Sequence, residues 1–426
     1  MPLILKLYSL IHLILLPFIL PFEILKRAPK RRSIWLKEKF GFVALPGFSN
    51  QQKTLWVHAV SLGEIKAITK FLELVADHFN ICLTTTTETG RTYAENLVNE
   101  IPTLKVFYNP FDLGFSIKRF LKKINPSALV IVETELWPNM IYISSRSLPI
   151  FLINARLSNK SFKNYKALSF FFKPLLNRFS AICVQNEIYL HKFKELGVIP
   201  DKLYLTGNLK FDITIKFLEF EKLQWLRRPI IIAGSTHEGE EELILKEFVK
   251  LKYQASLLLV PRHPERFDKV YKLCLSRLEL RKNTLILKYS EIENSQNKEL
   301  LKDLSPYQKV VVVVDKIGIL ASLYRIADLA IIGGSFIPHG GQNPLEAIYW
   351  KVPVIVGPYM ENFPFVEDFI KEETICQVKP GDLAHTIDLI LSDKILRKKL
   401  VERAYNLFLS LTGGSVKTLE IIKSTL

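Results

Sequence analysis

The stretch TLWVHAVSLGEIKAITKFLELVADHF, residues 54–79, changes its period midway. Residues 54–60 form an apolar run of strand character, whereas from Glu64 onward apolar residues recur at helical spacing. Ser61 to Gly63 makes the turn between them, with glycine at 63 allowing a sharp change of direction. Glu64 therefore begins a helix, where the helix dipole stabilises a carboxylate. The same turn also delivers that carboxylate to the end of a strand, where ligands collect in open α/β sheets. Cap and catalytic group are both open readings at this point.

The pattern repeats outward. TLWVHAV, ICLTTTT, ALVIVETE, PIFLINAR, AICVQN and KLYLTGN alternate with amphipathic stretches, the signature of a parallel sheet covered by helices. KFDITIKFLEFEKLQWLRRP breaks the rhythm, which then resumes through PIIIAGSTH, SLLLVPRHP, KVVVVVD, LAIIGGS and PVIVGPYM. Two successive doubly wound domains are expected: 36–210 and 229–426, with 211–228 as linker. The polar residues following these runs should face a cleft between the domains.

The 426 residues suit two domains. With 58 Lys+Arg against 42 Asp+Glu the formal charge is +16, which favours anionic partners without choosing among nucleic acid, phospholipid and phosphorylated substrates. Cys82, Cys183, Cys274 and Cys376 lack metal-ligand spacing and lie in or beside apolar runs, as buried free thiols do.

Residues 1–22 are strongly apolar but carry Lys6, His12, Pro17 and Pro21. Glu23 to Phe40 then holds seven basic and two acidic residues, a net of +5. A cleaved signal peptide has the opposite order. Residues 1–35 read as an uncleaved anchor with a basic flank, spanning the membrane or lying in its interface, the rest of the chain being cytoplasmic.

No complete phosphate loop or dinucleotide fingerprint is present. GGSFIPHGGQNPLEA, residues 333–347, is the nearest phosphate cradle: its glycines allow close backbone approach, and Asn343 with Pro344 suits a helix cap and first turn. A glycine-rich crossover without ligand is the competing reading.

HAVSLGE, ETELWPN, NARLS, GNLKFD, STHEGEE, LVPRHPERF and GGSFIPHGGQNPLEA closely resemble, in order and spacing, the 3-deoxy-D-manno-oct-2-ulosonic acid (Kdo) transferases of Gram-negative lipopolysaccharide assembly. The resemblance implies a GT-B glycosyltransferase moving Kdo from CMP-Kdo to the lipid A precursor, with inversion, at the inner face of the cytoplasmic membrane. By the same resemblance Glu64 is the base. Ser235, Thr236, His237, Glu238, Arg262, His263, Pro264, Gly333, Gly334, Gly341, Asn343 and Glu346 form the CMP-binding wall. Gln342 stands where many relatives have His, and Ile319 where they have an acid.

An inverting transfer needs one base and no second nucleophile. Ser61 and Gly63 accompany Glu64 on the acceptor side. Glu133 and Glu135, two apart, share one face if they lie on a strand. They can stabilise the anomeric centre, order the acceptor or bond loop amides. Trp137 and Pro138 read as structural. Arg156 and Arg262 can clamp a carboxylate or phosphate, or form structural ion pairs. His237 and His263 suit hydrogen bonds to phosphate or ribose, and His58 a core position. Neither metal-ligand spacing nor an Asp-x-Asp pair is present, and a donor with one phosphate has no diphosphate to bridge, so metal-independent transfer without cofactor is expected. A GT-B enzyme for another nucleotide sugar fits the ordered motifs less well. A membrane-tethered nucleic-acid binder explains the charge but not Glu64 or the glycine loop, and no nucleic acid is expected as partner.

Overall fold

The computed structural model describes residues 2–44, 47–48, 52–278, 283–294 and 309–426. The chain divides into two compact units, Met1–Ile213 with Leu411–Leu426, and Thr214–Ser410. Each is built on a seven-stranded sheet whose strand pairs are all parallel.

The first unit contains β1 (Thr54–His58), β2 (Asn80–Thr85), β3 (Leu104–Tyr108), β4 (Ala128–Val132), β5 (Ile150–Ala155), β6 (Ala181–Val184) and β7 (Leu203–Leu205), in the order β3-β2-β1-β4-β5-β6-β7. Order reverses between β1 and β4, the position at which open sheets present a crevice beyond their strand ends. Leu55, Val57, Val130 and Phe151 face one covering layer; Trp56, Leu129, Ile131 and Leu152 face the other. Burial on both faces explains why these strands read as continuous apolar runs.

The second unit contains β8 (Ile230–Thr236), β9 (Ala255–Pro261), β10 (Thr284–Lys288), β11 (Lys309–Val313), β12 (Leu329–Ile332), β13 (Val354–Val356) and β14 (Cys376–Gln377), ordered β10-β11-β9-β8-β12-β13-β14. Its reversal falls between β8 and β12.

Two boundaries differ from expectation. Leu411–Leu426 returns to the first unit instead of completing a domain over 229–426. Asp212 is the physical reason: its two carboxylate oxygens accept Gly413 N–H and Ser415 N–H at 2.6 Å each, capping the helix Gly414–Thr425. Leu419 and Ile422 of that helix enter the first core. Thr214–Arg228, expected as linker, goes with the second unit, where Arg325 stacks over Phe217 at 4.1 Å.

The helix Pro2–Leu25 contains Pro17 and Pro21 and is long and apolar enough to cross a membrane. Leu5 is buried against the first unit and Asn139 Nδ2 donates to Ser9 Oγ at 2.9 Å, while Leu3, Phe18, Phe22 and Leu25 are largely exposed. Cys82, Cys183 and Cys274 are buried, Cys376 is half-buried, and all are free thiols.

Candidate active site

In the first unit the turn after β1 is made by Ser61, not by Gly63. Ser61 adopts an extended conformation and caps the helix Leu62–Ala67, its Oγ accepting Glu64 N–H at 3.4 Å and donating to Glu64 Oε1 at 3.2 Å. Glu64 Oε2 reaches back to accept Val60 N–H at 2.7 Å, which closes a reciprocal cap. Gly63 is an ordinary residue inside that helix, and a Cβ there meets only Ser61 Oγ, at 3.8 Å.

The Glu64 side chain is thus fixed and buried yet lies at the sheet's switch point. Burial raises its pKa to about 7, against the Val60 bond, with the charges of Glu133 and Glu135 pushing the same way. A carboxyl group poised near neutrality suits proton transfer.

Glu133 and Glu135 do not share a strand face. β4 stops at Val132 and Glu133 takes a left-handed φ of 57°, so both acids sit in the turn that follows. Glu133 is buried, with Arg156 Nε at 2.7 Å and Lys210 Nζ at 3.9 Å. Arg156 therefore forms the ion pair, and half of its side chain stays exposed. Burial, then the Glu133 charge, raises the Glu135 carboxyl. Trp137 and Pro138 start the helix Pro138–Ser144, in keeping with a structural role. His58 is a core residue: its Nδ1 lies 3.1 Å from Thr84 Oγ1, and burial lowers it to about 3.

In the second unit, β8 ends on Ser235, φ 55°, and Thr236. Gly333, just past β12, lies so close that a Cβ there would sit 2.3 Å from Ser235 O; only glycine fits. The two loops are tied by Glu240. Fully buried, its carboxylate accepts His237 N–H at 2.9 Å, Gly334 N–H at 2.6 Å and Phe336 N–H at 2.9 Å. Glu241, also buried, accepts Thr236 Oγ1 at 2.9 Å and is held by both Arg266 nitrogens, at 2.8 and 3.0 Å. Gly341 N–H closes the glycine-rich loop on Gly334 O at 2.8 Å.

The His237 and His339 rings lie tilted at 37° with centroids 3.8 Å apart, and His263 meets His237 edge-on at 5.5 Å. Burial, then His339 and His263, with Arg266 and Arg262 adding to them, lowers His237 to about 4. Gln342 Nε2 lies 3.1 Å from His237 Nε2, a hydrogen bond between the two side chains. Arg262, His263 and Pro264 are exposed after β9, with Arg262 N–H bonded to Thr236 O at 3.0 Å. The loop amides of His237, Gly334 and Phe336 are taken up by Glu240, so what the rim offers an anion is the exposed Arg262 guanidinium beside the neutral His237 ring and His263.

Glu238 points to solvent and pairs with Lys269. The helix at the glycine loop is Leu345–Tyr349 with Pro344 as its cap residue, one position later than expected, although Asn343 Oδ1 still accepts Leu345 N–H at 3.2 Å. Glu346 lies in that helix's first turn, and burial, then the Glu346 charge, pushes the Tyr324 phenol well up. Among the described residues, no three His, Cys, Asp or Glu side chains converge as metal ligands.

Glu240, Glu241, Arg266 and His339 were not singled out by sequence. Three acids in the first turn of Glu240–Lys250 and an arginine following Pro264 were the available signals.

Residues 35–213 match the family model for 3-deoxy-D-manno-octulosonic-acid transferase (kdotransferase), and residues 242–407 that for glycosyl transferases group 1. The 3-deoxy-D-manno-octulosonic acid transferase of Haemophilus influenzae is 34% identical over 98% of this chain and 97% of its own. The transferase of the same description from Aquifex aeolicus is 32% identical over 83% and 85%. UDP-GlcNAc 2-epimerase from Neisseria meningitidis, in its UDP-GlcNAc-bound crystal structure, aligns with TM-score 0.55 and 13% identity, covering 88% of this chain and all of its own, a likeness of fold.

Two Rossmann-like units with a group 1 match define a glycosyltransferase of the GT-B class. More narrowly, the chain belongs to the Kdo transferase family.

Proposed function

We propose that this protein transfers Kdo from CMP-Kdo to a lipid A precursor, with inversion, at the cytoplasmic face of the inner membrane. The observation that carries the reading is the buried Glu64 carboxyl, raised to about 7 at the switch point of the first sheet. A side chain that only caps a helix gains most when ionised. Here burial and two neighbouring acids oppose ionisation, as a general base requires.

In the proposed step the acceptor hydroxyl proton moves to a Glu64 oxygen as the hydroxyl oxygen bonds to the anomeric carbon of Kdo. The bond from that carbon to the phosphate oxygen breaks, and CMP leaves with its electron pair. Ser61 and Val60 hold the carboxylate. Glu133, Glu135 and Arg156 line the acceptor side. In the second unit, Gly334 and Gly341 shape the phosphate loop. His237, with Arg262 and His263, supplies donors for the CMP phosphate and ribose.

Arg27 and Arg31 pair with acids of the first unit and Lys39 is buried, so the apolar helix Pro2–Leu25 with the exposed Lys30 and Lys37 after it holds the enzyme at the anionic membrane, where a phosphorylated lipid acceptor resides. Incubation with CMP-Kdo and lipid A precursor, followed by mass spectrometry, tests the reading. Addition of Kdo mass to the lipid, with CMP released, is expected; hydrolysis of CMP-Kdo without transfer overturns it.

A further inference from the structure

We propose that the helix pair Asn159–Ala167 and Ser169–Leu176 is a second membrane-contact element, inserting its tip into an anionic phospholipid surface. The inference rests on the membrane reading above. The sequence SNKSFKNYKALSFFFKPLL, residues 158–176, contains Lys160, Lys163, Lys166 and Lys173 and no acid. It also contains five aromatic residues, and these divide into two groups.

Phe162, Tyr165, Phe171 and Phe172 pack against the core of the first unit, with Tyr165 and Phe172 stacked at 4.1 Å. They fix the base of the pair. Leu168 and Phe170 at the connection instead project outward, 48% and 68% exposed. No residue of the helix Asn159–Ala167 is buried. Lys166 pairs with Glu195 at 3.0 Å, while Lys160, Lys163 and Lys173 are exposed on the same helix pair as Leu168 and Phe170. Exposed large apolar groups with lysines on one short segment match the boundary of an anionic bilayer: the apolar side chains enter the acyl region and the lysines pair with phosphates.

The position within the unit supports this occupant. Pro138–Ser144 packs against both Ser169–Leu176 and the apolar helix Pro2–Leu25, so both apolar elements lie beside one helix. Burial, then the charge of Glu135, raises the Tyr165 phenol, which puts the base of the pair near the acidic turn proposed to line the acceptor side. A lipid acceptor drawn from a membrane would then meet that turn close to its own headgroup layer.

The test uses the full chain carrying Ser169→Cys labelled with a polarity-sensitive fluorophore. The unsubstituted chain, taken through the same labelling, corrects for Cys376. On binding vesicles of phosphatidylcholine with phosphatidylglycerol, the label should shift to the blue. The pair Leu168→Ser and Phe170→Ser should abolish that shift and weaken vesicle binding about tenfold, at an unchanged melting temperature. Vesicle binding with an unshifted label overturns the proposal and leaves the anchoring by Pro2–Leu25 intact. Failure of the chain to bind vesicles overturns both, whereas a shift produced equally by a soluble protein partner overturns the assignment of a bilayer.

Discussion

Glu64 and Val60 are joined by a 2.7 Å hydrogen bond from the Val60 amide to the Glu64 carboxylate, so the proposed base is also a helix cap. The two roles pull its proton affinity in opposite directions. The bond favours the charged form, yet burial with Glu133 and Glu135 nearby prevails and holds the group at about 7. Capping fixes the carboxylate in place while its surroundings keep it basic.

Glu64→Gln is therefore expected to fold and to bind CMP-Kdo, with transfer slowed by roughly 10²- to 10⁴-fold. Steady-state turnover with lipid acceptor checks it. The wild-type rate should climb as pH rises through about 7, where Glu64 loses its proton. Stability should move oppositely. A carboxyl group raised in the folded state from 4.5 binds more protons there than when unfolded, so wild type loses stability from about pH 4.5 upward until Glu64 is ionised near 7. The amide lacks this loss, and melts at pH 5 and pH 8 should show a flatter dependence for Glu64→Gln.

Arg156→Gln removes the guanidinium 2.7 Å from Glu133 and leaves Lys210, at 3.9 Å, as the remaining cation of that site. A less compensated Glu133 repels charge on Glu64 more strongly. The acidic limb of the pH–rate profile should move to higher pH. An unshifted limb with lower turnover would assign Arg156 to the substrate itself.

Much of this was legible in the sequence because the central strands are buried on both faces and appear as unbroken apolar runs. The strands that escaped notice, β3, β10 and β14, all lie at sheet edges. LKVFY carries a half-buried Lys105, TLILK is only partly buried, and β14 has two residues. Low burial weakens the pattern of TLILK and β14 is too short to show one, whereas LKVFY is nearly all buried and is broken as an apolar run only by Lys105. The acidic pair misled for a local reason: ALVIVETE looks continuous, but the left-handed turn at Glu133 ends β4, and a non-glycine residue gives little sequence warning of such a φ. Asp212 acts on a helix some two hundred positions later, a pairing no spacing rule reaches.

Glu240→Gln tests whether the donor wall depends on one buried carboxylate. Glutamine offers one acceptor oxygen where two served three amides, and its NH₂ group faces a donor. Stranded amides cost about 1–3 kcal/mol. The loops bearing His237 and Gly334 should loosen together, raising KM for CMP-Kdo more than it lowers kcat. A loss confined to melting temperature would make Glu240 purely structural.

Asp212→Ala removes both acceptors at the start of Gly414–Thr425 and should cost about 0.5–2 kcal/mol. Hydrogen exchange should quicken in residues 414–425, and in the helix Thr69–Ala76 against which that segment packs, before it changes elsewhere. Uniform exchange would mean that the segment is held by Leu419 and Ile422 alone.

Gly63 and Gly333 look alike as sequence and should respond oppositely to alanine. Gly63→Ala adds a methyl group to an exposed helical position with its nearest neighbour 3.8 Å away, and should stabilise by roughly 0.5–1 kcal/mol through the unfolded chain. Gly333→Ala places Cβ 2.3 Å from Ser235 O, and because backbone cannot yield as a side-chain end can, a loss of about 1–3 kcal/mol is expected with weaker CMP binding. Activity then separates site from scaffold. If an acceptor sugar approaches the backbone beside Glu64, Gly63→Ala lowers turnover on lipid although the protein melts higher and binds CMP normally. Unchanged turnover removes Gly63 from the acceptor surface and leaves Ser61 and Glu64 as the groups of that turn that serve transfer.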